Sequence, residues 1–210
     1  MESRIRGGRR RRCRGFASLV VLFAGWVGAP AVAASRIDHE ANTTWRRVTW
    51  DDFRGTLTRG TQTAGIASTI VMDVTGIEVE PLGDGGWVGR PRDADVYALM
   101  NKLSSGVQPG ARSDWGLAHE QLHFDITEIH ARRLWARVRA IEVVVDSQPQ
   151  AYSAVLAAAR ALQAEAMEAM RRMQVRYDRE TGNGVRKKDQ KRWAREVAEL
   201  LATEAPYPLL

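Results

Sequence analysis

The chain has 210 residues with 31 Lys and Arg against 25 Asp and Glu, a formal net charge of +6 and a sequence pI near 10.0. That excess is not a nucleic-acid or anionic-membrane signature, because residues 1–33 hold seven arginines and one glutamate, leaving 24 basic and 24 acidic residues in 34–210. The single cysteine, Cys13, lies in the same N-terminal stretch, so residues 34–210 contain neither a disulfide nor a thiolate metal site.

The N-terminus reads as a secretory signal peptide over residues 1–33. A basic run from Arg4 to Arg14 precedes an apolar run from Phe16 to Ala29, and Ala31-Val32-Ala33 supplies a small-x-small cleavage site before Ala34. An uncleaved anchor is the rival reading. Arg11-Arg12 lacks the surrounding pattern of a twin-arginine signal, so ordinary export to the periplasm or the medium is expected, with no stable membrane association after cleavage. Residues 34–44 form a short N-terminal segment that could act as a pro-segment, and 45–205 are read as one domain.

From Trp45 to about Val107 the pattern is strand-like. Arg46–Trp50, Thr61–Met72 and Val74–Val79 are β-branched runs punctuated by Gly55, Gly60, Gly76 and the turn Pro81–Gly86. Asp95–Met100 is read as a further strand. After the loop Val107–Arg112 the chain turns helical. The first helix is expected to start at a Ser113 or Asp114 cap and run to about Asp146, ended by Pro149. An alanine-rich helix from about Tyr152 to Arg176 follows, then a break at Thr181-Gly182-Asn183-Gly184. A third helix spans roughly Lys188 to Thr203, closed by Pro206 and Pro208. Strands first and helices later predict an α+β fold, a small antiparallel sheet followed by a helical half.

The first helix carries His119-Glu120-Gln121-Leu122-His123. Histidines at i and i+4 stand about 40° apart on one helix face, one turn apart, so two imidazoles can clasp one ion. Zinc accepts neutral imidazole nitrogens and tolerates an open position for water. Glu120 projects beside the ion, where its carboxylate can take a proton from a zinc-activated water and return it to a leaving amine. His130 lies about 10 Å along the axis from His123, too far to share the ion, and Glu128 faces the opposite way. The third ligand is therefore sought on a later element: Glu165, Glu168, Asp178 or Glu180. Asp178 is the choice, because it lies where the helix ends and its short acidic side chain can be aimed by the turn. Asp125 is read as an acceptor for a ligand's other ring nitrogen, or as an exposed residue. Trp135, Leu134 and Val138 are read as core, Arg132, Arg133, Arg137 and Arg139 as a solvated face, and Tyr177 as packed rather than as an oxyanion donor.

Leu117–Glu128 with Ala131-Arg132 resembles the predicted secreted zinc-dependent protease family of bacteria. So do Val48-Thr49-Trp50-Asp51-Asp52-Phe53-Arg54-Gly55 and Tyr177–Thr181 with Gln190 and Trp193, together covering most of 45–203. The resemblance implies an exported zincin-type hydrolase that cleaves peptide or protein substrates. Asn183 stands where the family pattern places a histidine, which opens the alternative of a catalytically inactive zincin-fold binding or assembly protein.

Overall fold

The computed structural model describes residues 37–57 and 63–206; the expected signal peptide lies outside the described residues. The elements follow in the order β1 (Asn42–Thr44), a single 3-10 turn (Trp50–Asp52), β2 (Ala64–Gly65), β3 (Ser68–Pro81), β4 (Trp87–Asn101), β5 (Gly106–Val107), α1 (Asp114–Arg139), β6 (Val143–Val145), α2 (Gln148–Thr181) and α3 (Lys187–Thr203). The fold is α+β, as expected.

The sheet is antiparallel. β3 and β4 form a long hairpin with a register shift at Gly76, and β1 and β6 pair with the two ends of β4's other edge. On β4 the alternate residues Ala94, Val96, Ala98 and Met100 are buried while their neighbours are not, the period-2 signature of a sheet packed on one face. That face meets α1. A separate two-stranded pairing, β2 with β5, lies beside it.

α1 begins at Ser113, whose side chain accepts from the Gly116 N–H and so satisfies one of the helix's free donors. From His119 to Ala131 all but Gln121 and Asp125 are buried, so α1 is a central element enclosed by the sheet, α2 and α3. Phe124, Ile126, Ile129 and Leu134 are fully buried, each contributing on the order of 1.5–3 kcal/mol through removal of apolar surface from water. α2 buries Ala151, Val155, Ala159, Ala166, Met170 and Tyr177, and α3 buries Gln190, Trp193 and Val197, both at helical spacing. Among the described residues no helix is long and apolar enough to cross a membrane.

Three expectations need correction. The first helix stops at Arg139 rather than near Asp146: Val143–Val145 is a β-branched run that pairs with Trp87–Gly89 as β6, and Pro149 opens α2 instead of closing α1. Arg46–Trp50 is not a strand. Arg46–Thr49 is a loop fastened by side chains, with the Val48 N–H donating to Gln121 Oε1 and the Thr49 N–H to Asp52, and Trp50 opens the 3-10 turn. Within the described residues the separate strands expected around Met72 and Val74 are one strand, β3, which carries Gly76 through as a bulge.

Candidate metal centre

One turn of α1 and the last turn of α2 make the centre. His119 and His123 share a face of α1, and α2 crosses so that Asp178 Oδ1 lies 3.2 Å from His119 Nε2 and 3.0 Å from His123 Nε2. All three residues are buried, and together they form a group able to hold a metal ion. The geometry suits one. Donors about 2.0–2.1 Å from a tetrahedral ion stand roughly 3.3–3.4 Å apart, close to the two Nε2 to Oδ1 separations.

Tyr177, the residue before Asp178, holds the imidazoles in place. Its ring stacks on His119 at 4.7 Å, meets His123 edge-on at 4.9 Å, and is backed by Trp193 at 5.3 Å. Its hydroxyl lies 2.7 Å from His119 Nδ1 and 3.4 Å from the His119 carbonyl, to which it donates. Burial pushes the phenol far above its ordinary value, so it stays neutral. This is the packed role expected for Tyr177.

The nitrogens that face away from Asp178 meet amides. Gln174 Oε1 lies 3.2 Å from His123 Nδ1, and Gln190 Oε1 lies 3.3 Å from His119 Nδ1. Asp125 does not take the expected role toward a ligand histidine. Its carboxylate accepts instead from Trp45 Nε1 and Gln121 Nε2, tying the Trp45–Thr49 loop to α1. Gln174 was invisible in the sequence, where a glutamine on a helix carries no signal. Gln190 appeared only as part of the C-terminal signature.

Glu120 is buried at 6 % exposure beside the ligands. Burial raises its pKa above the usual carboxylate range, against the pull of the two histidines and of a backbone hydrogen bond from Ile66. Asp178 behaves oppositely: burial would raise it, but hydrogen bonds from both histidines hold it far below the ordinary range. Burial lowers His123, and the Asp178 hydrogen bond and charge more than restore it, so its pKa is raised. Two neighbouring carboxyl groups are thus driven apart, one ionised and one proton-seeking.

The rival third ligands are occupied elsewhere. Glu165 pairs with Arg137, Glu168 with Arg171 and Arg172, and Glu180 with Arg176, Arg192 and the Trp193 indole. His130 is buried further along α1, outside the group. The arginines expected on a solvated face do more than that. Arg132 binds Glu128 and the carbonyls of Leu201 and Glu204, and Arg133 pairs with Glu204, so both anchor the end of α3 to α1. Leu134 and Val138 are core as expected, with Trp135 packed at its edge.

The loop after α2 completes the enclosure. Gly182, Asn183 and Gly184 have φ of 60°, 54° and 81°, three successive left-handed residues. Gly184 accepts a hydrogen bond from Trp115 Nε1 and abuts His119 so closely that a Cβ there would stand 3.2 Å from the imidazole. Asn183 is exposed and lies outside the metal group; asparagine, like histidine, is enriched in the left-handed region that the loop requires.

A family model described as a bacterial protein of unknown function (DUF922) matches residues 115–185, roughly a third of the chain. The matched span runs from Trp115 to just past Gly184, so it contains both histidines, Glu120, Gln174, Tyr177 and Asp178. No curated protein and no solved structure matches the chain.

Proposed function

We propose that the protein is an exported zinc-dependent peptidase. The observation that carries the reading is the buried trio His119, His123 and Asp178 with Glu120 buried beside it. Two imidazoles and one carboxylate are the donor set of catalytic zinc, which keeps a position for water. His119 and His123 would hold the ion through Nε2 and Asp178 through Oδ1, and the ion would supply Lewis acidity toward water and a peptide carbonyl.

The residues of the chain do the rest. Glu120, desolvated and with its carboxylate fixed by the Ile66 N–H, is placed to accept a proton from water and pass it to the departing amine. Asp178, held ionised, offsets part of the charge of a divalent ion. Tyr177 and Trp193 exclude water from the far side of the histidines. Export is supported by the sequence pattern of residues 1–33.

A second reading, a non-catalytic periplasmic binding or assembly protein that keeps the metal site, draws on a different observation. His119, Glu120, His123 and Asp178 are each less than a tenth exposed. Two surface depressions, one lined by Ile141 and Leu162 and one by Val145 and Ala154, lie away from them.

The experiment is incubation of zinc-loaded residues 34–210 with a mixed peptide library, read by mass spectrometry beside Glu120→Gln. The peptidase reading expects products from the parent and a loss of roughly 10²–10⁴-fold in Glu120→Gln with zinc retained. No products from either would favour the second reading.

A further inference from the structure

Both histidines are gripped at both ring nitrogens, and the outer grip is neutral. On the inner side one Asp178 oxygen meets the two Nε2 atoms. On the outer side Gln174 meets His123 Nδ1, and Gln190 meets His119 Nδ1. Gln174 stands one turn before Asp178 on α2, so a single helix face addresses both nitrogens of His123.

The orientation of each amide follows from its other neighbour. Gln190 Nε2 lies 3.2 Å from the Trp115 carbonyl, which can only accept. The NH2 end must therefore face Trp115, which leaves the oxygen toward His119. Gln174 Nε2 lies 3.1 Å from Thr127 Oγ1, whose hydroxyl is within reach of the carbonyl of His123 one turn back. With its proton committed there, Thr127 accepts from Gln174, and the Gln174 oxygen faces His123. Ser68 Oγ, 2.7 Å from Thr127 Oγ1, then donates to it. An amide oxygen accepts and never donates, so each histidine is driven to carry a proton on Nδ1; the proton that Nε2 shares with Asp178 is then the one a bound ion would replace, leaving the Nε2 lone pair to face it. The Tyr177 hydroxyl, 2.7 Å from His119 Nδ1, favours the same tautomer, since its proton goes to the His119 carbonyl and toward Nδ1 it accepts.

We propose that Gln174 and Gln190 are positioning residues for the metal centre, a pair of neutral acceptors that fix the metal-binding tautomer of His123 and His119 without adding negative charge. Carboxylates in these places would fix the same tautomer but would push electron density through the rings and weaken the Lewis acidity of the ion. With amides, Asp178 is the one anionic group within hydrogen-bonding distance of the two imidazoles among the described contacts. This inference rests on the metal-site reading above and adds to it which residues tune the ligands.

The test separates acceptor from scaffold, because each glutamine also donates an N–H to the fold. Gln174→Leu removes both roles. Gln174→Glu keeps the acceptor and loses the donor to Thr127. Zinc affinity of each, with the parent and the matching Gln190 variants, is measured by competition with a chromophoric chelator near neutral pH, with folding followed by circular dichroism. The expected result is a loss of about 10–100-fold for Gln174→Leu and parental or tighter binding for Gln174→Glu. Gln190→Leu should fall less, since Tyr177 still engages His119 Nδ1, and Gln190→Glu should recover it. If the Leu and Glu variants lose affinity together, or if neither changes, the inference is overturned and the glutamines are only scaffold. If the parent itself binds no zinc, the metal-site reading fails and takes this one with it. Should Gln174→Leu not fold, the Gln190 pair decides.

Discussion

Asp178 Oδ1 stands 3.0 Å from His123 Nε2, although the two lie on successive helices 55 residues apart in the chain. The contact brings the end of α2 onto the HExxH turn of α1, and it selects Asp178 among four acidic candidates. Asp178→Asn should therefore reduce zinc affinity by more than the ~10–100-fold typical of a residue that only supports a ligand. Glu165→Gln, Glu168→Gln and Glu180→Gln should leave it unchanged. Chelator competition on the four variants reads this directly. A loss at Glu165 or Glu168 instead would assign the third ligand elsewhere.

Gly184 and Gly182 make a controlled comparison. Both have positive φ, so alanine at either strains the backbone by roughly 1–2 kcal/mol, worth about 2–8 °C in Tm for a domain of this size. Only at Gly184 does the new methyl meet the His119 ring and Gln190 Oε1 at 3.2 Å; at Gly182 it makes ordinary contact with Arg186. Gly184→Ala should lower both Tm and zinc affinity, and Gly182→Ala should lower Tm alone. Calorimetry with zinc titration tests both.

His130 should govern part of the acid response. Burial, helped by Arg133 and Arg172 and opposed by Glu204, lowers its pKa from 6.5 to about 4, and its Nε2 finds no partner among the described residues. The unfolded chain takes up the proton from near 6.5 downward while the folded protein does not. Stability is therefore retained above that value and lost as pH falls toward about 4, by up to roughly 3 kcal/mol. His130→Leu should flatten that limb and cost little near neutrality, since it removes a buried polar atom without a partner. Urea unfolding at about pH 7 and about pH 4.5 would show it. An unchanged acid limb in the variant would place the titrating group elsewhere.

Much of this was legible in advance for identifiable reasons. The helix periodicity and the Ser113 cap placed α1, the i, i+4 histidines placed the site, and the helix end placed Asp178. What escaped was non-local. Val143–Val145 looked like the tail of a helix until Trp87–Gly89 was available to pair with it. The Arg46–Thr49 segment has strand composition, yet its N–H groups go to Gln121 and Asp52 instead of to a neighbouring strand. Gln174 matters only because α2 crosses α1 at His123. Gly55 follows the same rule: a Cβ there would collide with the Leu103 carbonyl oxygen, a contact that no local pattern announces.

The most direct test is the metal content of purified residues 34–210, by inductively coupled plasma mass spectrometry, beside a His119→Ala/His123→Ala variant. The account predicts about one zinc per chain in the parent, in keeping with the one three-donor group found among the described residues, and none in the variant. A parent that stays metal-free after zinc addition and dialysis, or a variant that retains the ion, would contradict it.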